Sequence, residues 1–136
     1  MEAASRGAAT HGGLTVGILP GSDSSGSPPN EYVQIPIFTG LGDARNAIVA
    51  RAGEAVIAIG GAYGTLSEIG LALAASRPVI LLDSWQLTPA EPIAGIEENL
   101  HLAENPREAV NFAIAYARTK GPGSIPTQET MWAAPD

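Results

Sequence analysis

AVIAIGGAYGTLSE, residues 55–68, is the stretch on which the fold turns. Ala55 to Ile59 is wholly apolar and rich in β-branched residues, as a strand buried on both faces should be. Gly60-Gly61-Ala62-Tyr63-Gly64 then breaks the strand with a glycine-rich turn. A helix is expected from about Leu66 to Ala75, and Val79 to Leu82 reads as the next strand. Working outward, the same alternation recurs. Residues 2–10 are an Ala-rich helix, Leu14 to Leu19 a buried strand, and 20–30 (PGSDSSGSPPN) a mobile surface loop made almost entirely of turn formers. Tyr32 to Thr39 reads as a strand that Pro36 moves toward a sheet edge. A helix over 43–51 follows, with Asp43 as its N-cap. Asn99 to Ala103 reads as a short strand. Pro106 opens a last helix, at the position where its missing N–H costs nothing, running to about Arg118.

Apolar strands alternating with helices predict an α/β, Rossmann-like parallel sheet with helices on both faces. Such a sheet usually begins with a strand and a glycine-rich turn. This sequence instead begins with a helix, so the usual first β-α-β unit is expected to be lacking. One domain is expected over residues 1–120, with 121–136 (GPGSIPTQETMWAAPD) as a loose tail.

Composition narrows the function. Fourteen acidic residues against seven basic ones give a net charge of −7, which speaks against a nucleic-acid partner. Hydrophobic residues make up 45% of the chain, enough for a packed core. No apolar run has the roughly 20 residues that a membrane-spanning helix needs. There is no cysteine, so a disulfide, a thiol nucleophile and a thiolate zinc site are excluded. His11 and His101 show no metal-ligand spacing and read as solvent or cap residues; neither a metal nor a resident cofactor is called for. Residues 1–13 lack the apolar core of a secretory signal, which makes the cytoplasm the expected location.

Three features carry chemistry. The turn at 60–64 lies at the carboxyl end of a strand, where ligands of such sheets bind, and the helix after it offers N–H groups to an anion. It is either a phosphate-binding turn or simply a tight strand-to-helix connection. Without a Lys after the glycines it is not a Walker loop. Thr65-Leu66-Ser67-Glu68 has the pattern of a capping box, so Glu68 is either a helix cap or a carboxylate at the mouth of the site. Arg45 is expected in the first helical turn of 43–51, on the stripe of Ile48, Val49 and Ala52, where it calls for an anionic partner, a carboxylate or a ligand phosphate. Helix 66–75 is apolar nearly all round, which predicts burial all round and, in a small domain, a homodimer. Trp85 and Trp132 stand too far from other aromatics to suggest a stacking platform.

From Arg45 through Glu68, RNAIVARAGEAVIAIGGAYGTLSE resembles the LOG (lonely guy)-type enzymes, formerly called lysine decarboxylases. Their hallmark is an Arg-Lys pair followed at this interval by Pro-Gly-Gly-x-Gly-Thr-x-x-Glu. Arg45 matches the Arg, and Gly61, Gly64, Thr65 and Glu68 match the second motif without a gap. IPIFTGLGDARN and GTLSEIGLALAASRPVILL are similar to a bacterial subgroup and to the molybdenum-cofactor carrier proteins. The resemblance implies Arg45 and Glu68 as catalytic residues acting at the N-glycosidic bond of a nucleoside 5′-monophosphate. It implies Asn46, Gly60, Gly61, Tyr63, Gly64 and Thr65 as ligand contacts. Three departures stand out: Gly60 replaces Pro, Ala62 replaces a motif Gly, and Asn46 replaces the Lys. The family's first glycine-rich loop has no counterpart in the sequence. Three functions are in view: a nucleotide-binding protein with phosphoribohydrolase activity, a non-catalytic carrier of a phosphorylated ligand such as molybdopterin, and a structural remnant that binds nothing.

Overall fold

A computed structural model describes residues 1–118; the stretch expected to be a tail, 121–136, lies outside the described residues. The elements in chain order are α1 (Glu2–Thr10), β1 (Val16–Leu19), β2 (Ile35–Phe38), a 3-10 turn (Gly42–Arg45), α2 (Asn46–Ala52), β3 (Val56–Ile59), α3 (Tyr63–Ala74), β4 (Val79–Leu82), α4 (Ile96–Asn99), β5 (Leu100–Ala103) and α5 (Pro106–Arg118). The chain divides into two compact units, one over Met1–Val49 and one beginning at Ala50.

The second unit holds the core. Its sheet has the order β3-β4-β5, with both pairings parallel. All four residues of the central strand β4 are buried, as expected where helices cover both faces. Alternation along the strand assigns them to two sides. Val79 and Leu81 join Ala58, Ile69 and Ala72, the last two from α3. Ile80 and Leu82 meet Ala109 of α5, with Ile57, Phe112 and Ala113 packed around them. On α5 the positions 109, 112 and 113 fall on one stripe, the spacing of a helix that buries one face. Its start is closed by a side chain that the sequence reading passed over: Asn105 Oδ1 accepts the Glu108 N–H at 2.9 Å, and Glu108 Oε2 accepts the Glu104 N–H at 2.8 Å.

The first unit is thinner. Strands β1 and β2 pair in parallel, Val16 opposite Ile35 and Ile18 opposite Ile37. No residue of either strand, nor of α1, is buried. The expectation of a buried strand over 14–19 is therefore corrected. The run is apolar, but Leu14 is 69% exposed and Val16 50%, and Ile35 and Ile37 show a similar exposure on the paired strand. An apolar sequence reports what a strand prefers to contact, and the chain supplies little to contact here. At the carboxyl ends of the two strands the backbone is tied together: the Gly40 N–H donates to the Gly21 carbonyl and the Gly42 N–H to the Pro20 carbonyl, both at 3.0 Å. Loop 20–30 folds on Asp23, whose Oδ1 accepts the N–H groups of Ser25 and Gly26.

Helix boundaries supply two more corrections. The helix expected over 43–51 starts as a 3-10 turn capped by Leu41 without a side-chain hydrogen bond, so Asp43 is not an N-cap. The helix expected from Leu66 begins three residues earlier, at Tyr63, because Gly64 lies within its first turn and not in the loop before it. That helix is covered less evenly than its composition suggested. Ile69 and Ala72 are buried, Leu66, Leu71 and Leu73 are half-buried, and Gly70 and Ala74 are exposed.

Candidate functional site

Gly60, Gly61, Tyr63, Gly64, Thr65 and Glu68 are brought together at the junction of β3 and α3. Two consecutive residues with positive φ make the junction: Gly60 at 57° and Gly61 at 117°. That pair reverses the chain directly after Ile59, and Ala62 then sits extended as the N-cap of α3. Gly61 is fixed by space as well as by φ. A Cβ built on it would lie 2.4 Å from the Thr65 Cβ. At Gly60 the nearest atom to such a Cβ is the Asp83 carbonyl oxygen, 4.0 Å away, so φ alone requires glycine there. A Pro at this position, as in the enzymes the sequence resembles, has its φ locked near −65° and cannot follow the same path. The departure at Gly60 thus gives this chain its own turn.

The capping box at Thr65 is not formed. Thr65 is the third residue of α3, inside the helix, and Ala62 provides no side-chain hydrogen bond to the first turn. The leading N–H groups of a helix have no partner within it, and the N-cap Ala62 offers them no side-chain acceptor. With the dipole behind them, they are suited to an anion such as a phosphate. Glu68 is half-buried and stands one turn in, on the same face as Gly64 and Thr65 by helical spacing.

The turn is braced from the next loop. Ser84, two residues past β4, donates its hydroxyl to the Gly60 carbonyl at 2.6 Å. Between the strand and Ser84 stands Asp83 with φ 47°, a left-handed conformation that Asp tolerates better than most residues. Trp85 follows, and its ring centroid is 6.3 Å from that of Tyr63. The expectation that Trp85 stands isolated is thereby corrected. Sequence spacing of 22 residues concealed a contact that the parallel pairing of β3 and β4 creates, Ile59 lying opposite Leu82.

Arg45 and Asn46 belong to the other unit, after β2. Arg45 ends the 3-10 turn instead of opening an α-helix, and its Nη1 donates to the Ile18 carbonyl at 3.2 Å. The side chain is half-buried, and the predicted need for an acceptor is met in part by main chain at the end of β1. Asn46 is buried, at 7% exposed, as Thr15 is in the same unit.

Of the two readings of His101, solvent or cap, the structure supports the cap: its Nε2 lies 3.0 Å from the Glu98 carbonyl in the last turn of α4. It is also half-buried, stacks on Phe112 with centroids 5.6 Å apart, and is hydrogen-bonded to the Tyr116 hydroxyl. Burial lowers its pKa, which keeps the ring neutral at pH 7. Among the described residues no group of three or more metal-ligating side chains occurs, and no helix is long and apolar enough to cross a membrane.

A parallel α/β unit with a glycine-rich turn at a strand's carboxyl end defines a Rossmann-like ligand-binding protein of the LOG type, close to the molybdenum-cofactor carriers. The chain belongs to the SLOG cluster4 family, which matches residues 1–110. The molybdenum cofactor binding protein from the phototrophic bacterium Rippkaea orientalis is 41% identical and superposes with a TM-score of 0.69, over 81% of this chain and 66% of that one. The molybdenum cofactor carrier protein of Chlamydomonas reinhardtii is 33% identical with a TM-score of 0.67, over 88% of this chain and 71% of that one. An uncharacterised protein of Archaeoglobus fulgidus is 38% identical across 115 residues, which are 85% of this chain and 68% of the relative. The chain thus spans about two thirds of the length of these relatives.

Proposed function

We propose that this protein binds a small phosphorylated ligand at the β3–α3 turn and carries a molybdopterin-type compound. The observation that carries the reading is the start of α3, capped by an alanine without a side-chain hydrogen bond and set behind two glycines of positive φ, in a chain similar to two molybdenum-cofactor proteins. The phosphate takes the N–H groups of the first turn of α3, and Gly60, Gly61, Tyr63, Gly64 and Thr65 surround it. Mass spectrometry of small molecules released from the purified protein tests this directly. A phosphorylated pterin is expected. A preparation that holds none, and takes up neither a pterin phosphate nor a nucleoside monophosphate, would refute the reading.

A second reading is favoured by two side chains. Arg45 and Glu68 match the residues that act on nucleoside 5′-monophosphates in the LOG-type enzymes. In that reaction a carboxylate assists attack of water as the sugar carbon gains positive charge, and an Arg holds the substrate. The match of each residue to the motif is the ground for its role, with Asn46 beside Arg45 as a further ligand contact. Arg45→Ala is expected to weaken binding of a nucleoside monophosphate by about 1.5–3 kcal/mol, the worth of a charged hydrogen bond. Glu68→Gln is expected to leave binding nearly intact and abolish release of free base. If no free base is released by the unaltered protein, the carrier reading stands alone.

The cytoplasm is proposed as the location and a homodimer as the assembly. The apolar surface that supports a dimer is found on the first unit more than on α3: Leu14, Val16, Ile35 and Ile37 share one face of the β1–β2 sheet and are 44% to 69% exposed. Sedimentation at micromolar concentration is expected to show a species of twice the 13.9 kDa chain mass, and a monomer would overturn the assignment.

A further inference from the structure

Tyr63 is the first residue of α3, and at 82% it is the most exposed large side chain after Met1 among the exposed hydrophobic residues. Exposure of that extent is unusual for a tyrosine held beside a glycine turn, because its ring gains nothing from packing. It is nevertheless not adrift. Trp85 lies behind it at 6.3 Å, with the ring planes 35° apart. Trp85 itself is held firmly, packed at the edge of the core formed by Ala58, Ile69 and Leu81. The loop carrying it is pinned to the turn by the hydrogen bond from Ser84 to Gly60. The indole Nε1 is buried and has no hydrogen-bond partner among the described residues. The fold therefore uses Trp85 for its ring area and not for its donor.

We infer that Tyr63, backed by Trp85, is the face on which a planar heterocycle lies when a phosphate occupies the start of α3. The inference rests on the proposed phosphate site and narrows its ligand. The site takes phosphate esters that carry an aromatic ring system, and a bare sugar phosphate lacks the part that Tyr63 recognises. Stacking on an aromatic side chain tolerates different rings, because each presents a π face, so the pair selects the class of ligand and leaves the finer choice to other contacts.

Two probes separate the contributions in the full chain: guanosine 5′-monophosphate, whose amino-oxo pyrimidine ring is also found in pterins, and ribose 5-phosphate, which has the sugar phosphate without the ring. The unaltered protein is expected to bind guanosine 5′-monophosphate on the order of 10-fold more tightly or better. Tyr63→Ala should remove most of that preference, weakening guanosine 5′-monophosphate far more than ribose 5-phosphate, and Tyr63→Phe should retain it. Tyr63 is exposed, so Tyr63→Ala should fold and melt as the unaltered chain does. In a Trp132→Phe background, where Trp85 is the sole tryptophan, guanosine 5′-monophosphate should quench the fluorescence and ribose 5-phosphate should not. A preference that survives Tyr63→Ala, or equal binding of the two probes, overturns the inference and leaves the phosphate site intact. Failure to bind either probe sinks the phosphate site and the inference together.

Discussion

Gly61→Ala is expected to destabilise the protein by about 2–6 kcal/mol and to abolish ligand binding. Two costs add at this one position. The backbone φ of 117° is one that an L side chain rarely adopts, a strain of about 1–3 kcal/mol. The added methyl would also lie 2.4 Å from the Thr65 Cβ and 2.6 Å from its Oγ1 and Cγ2. Thr65 is in the body of α3 and is β-branched, so it has no open rotamer to retreat into without shifting the helix. Overpacking of that kind costs about 1–3 kcal/mol. Relief comes only from moving the first turn of α3 away from β3, and that displaces the N–H groups proposed to hold the phosphate. Gly60→Ala provides the internal control. With 4.0 Å to the nearest atom it suffers the φ penalty alone, about 1–2 kcal/mol. Thermal melts of the two variants should therefore rank Gly61→Ala well below Gly60→Ala. Equal melting temperatures would mean that the turn is not built as described.

Ile80→Ala should cost about 2–5 kcal/mol, the range for truncating a large aliphatic side chain in a core. Ile80 is fully buried in the central strand and is one of the three largest side chains so enclosed. Its neighbours are small or fixed: Ala109 and Ala113 on α5 have no atoms to extend into the gap, and Leu82 is committed to the same strand. The void would stay open, and the cost should lie in the upper half of the range. Denaturant unfolding measures it. A loss below about 1 kcal/mol would show that α5 does not seal that face.

The sequence was most readable where packing and pattern agree. Val79 to Leu82 is apolar throughout, and the structure buries all four residues; Pro106 to Arg118 is a helix at the bounds its Pro and its apolar stripe suggest. Gly64 was misleading, since glycine reads as turn but here takes an ordinary place in the first turn of α3. That displaced the helix start and made Thr65 look like a cap. The β1 and β2 runs misled in another way: apolar composition signals a demand for burial and does not show that the chain meets it. At the candidate site the glycine turn between β3 and α3 was legible from local spacing. Trp85 was not, because its nearness to Tyr63 depends on which strands pair, information that no window of neighbouring residues contains.

The parallel register of β3, β4 and β5 brings Ile59, Leu82 and Ala103 level with one another. Every feature argued for the ligand in this unit lies past that line: Gly60 and Gly61, Asp83 in its left-handed conformation, Ser84, Trp85 and the start of α3. The residues that hold the unit together, Val79 to Leu82, Ile69 and Ala109, lie before it or to the side. Selection can therefore act on the two groups almost separately. A descendant of this chain can change what the rim contacts by altering a few of its residues, with no need to repack the interior. It has the freedom of a socket whose wall is fixed and whose lip can be recut.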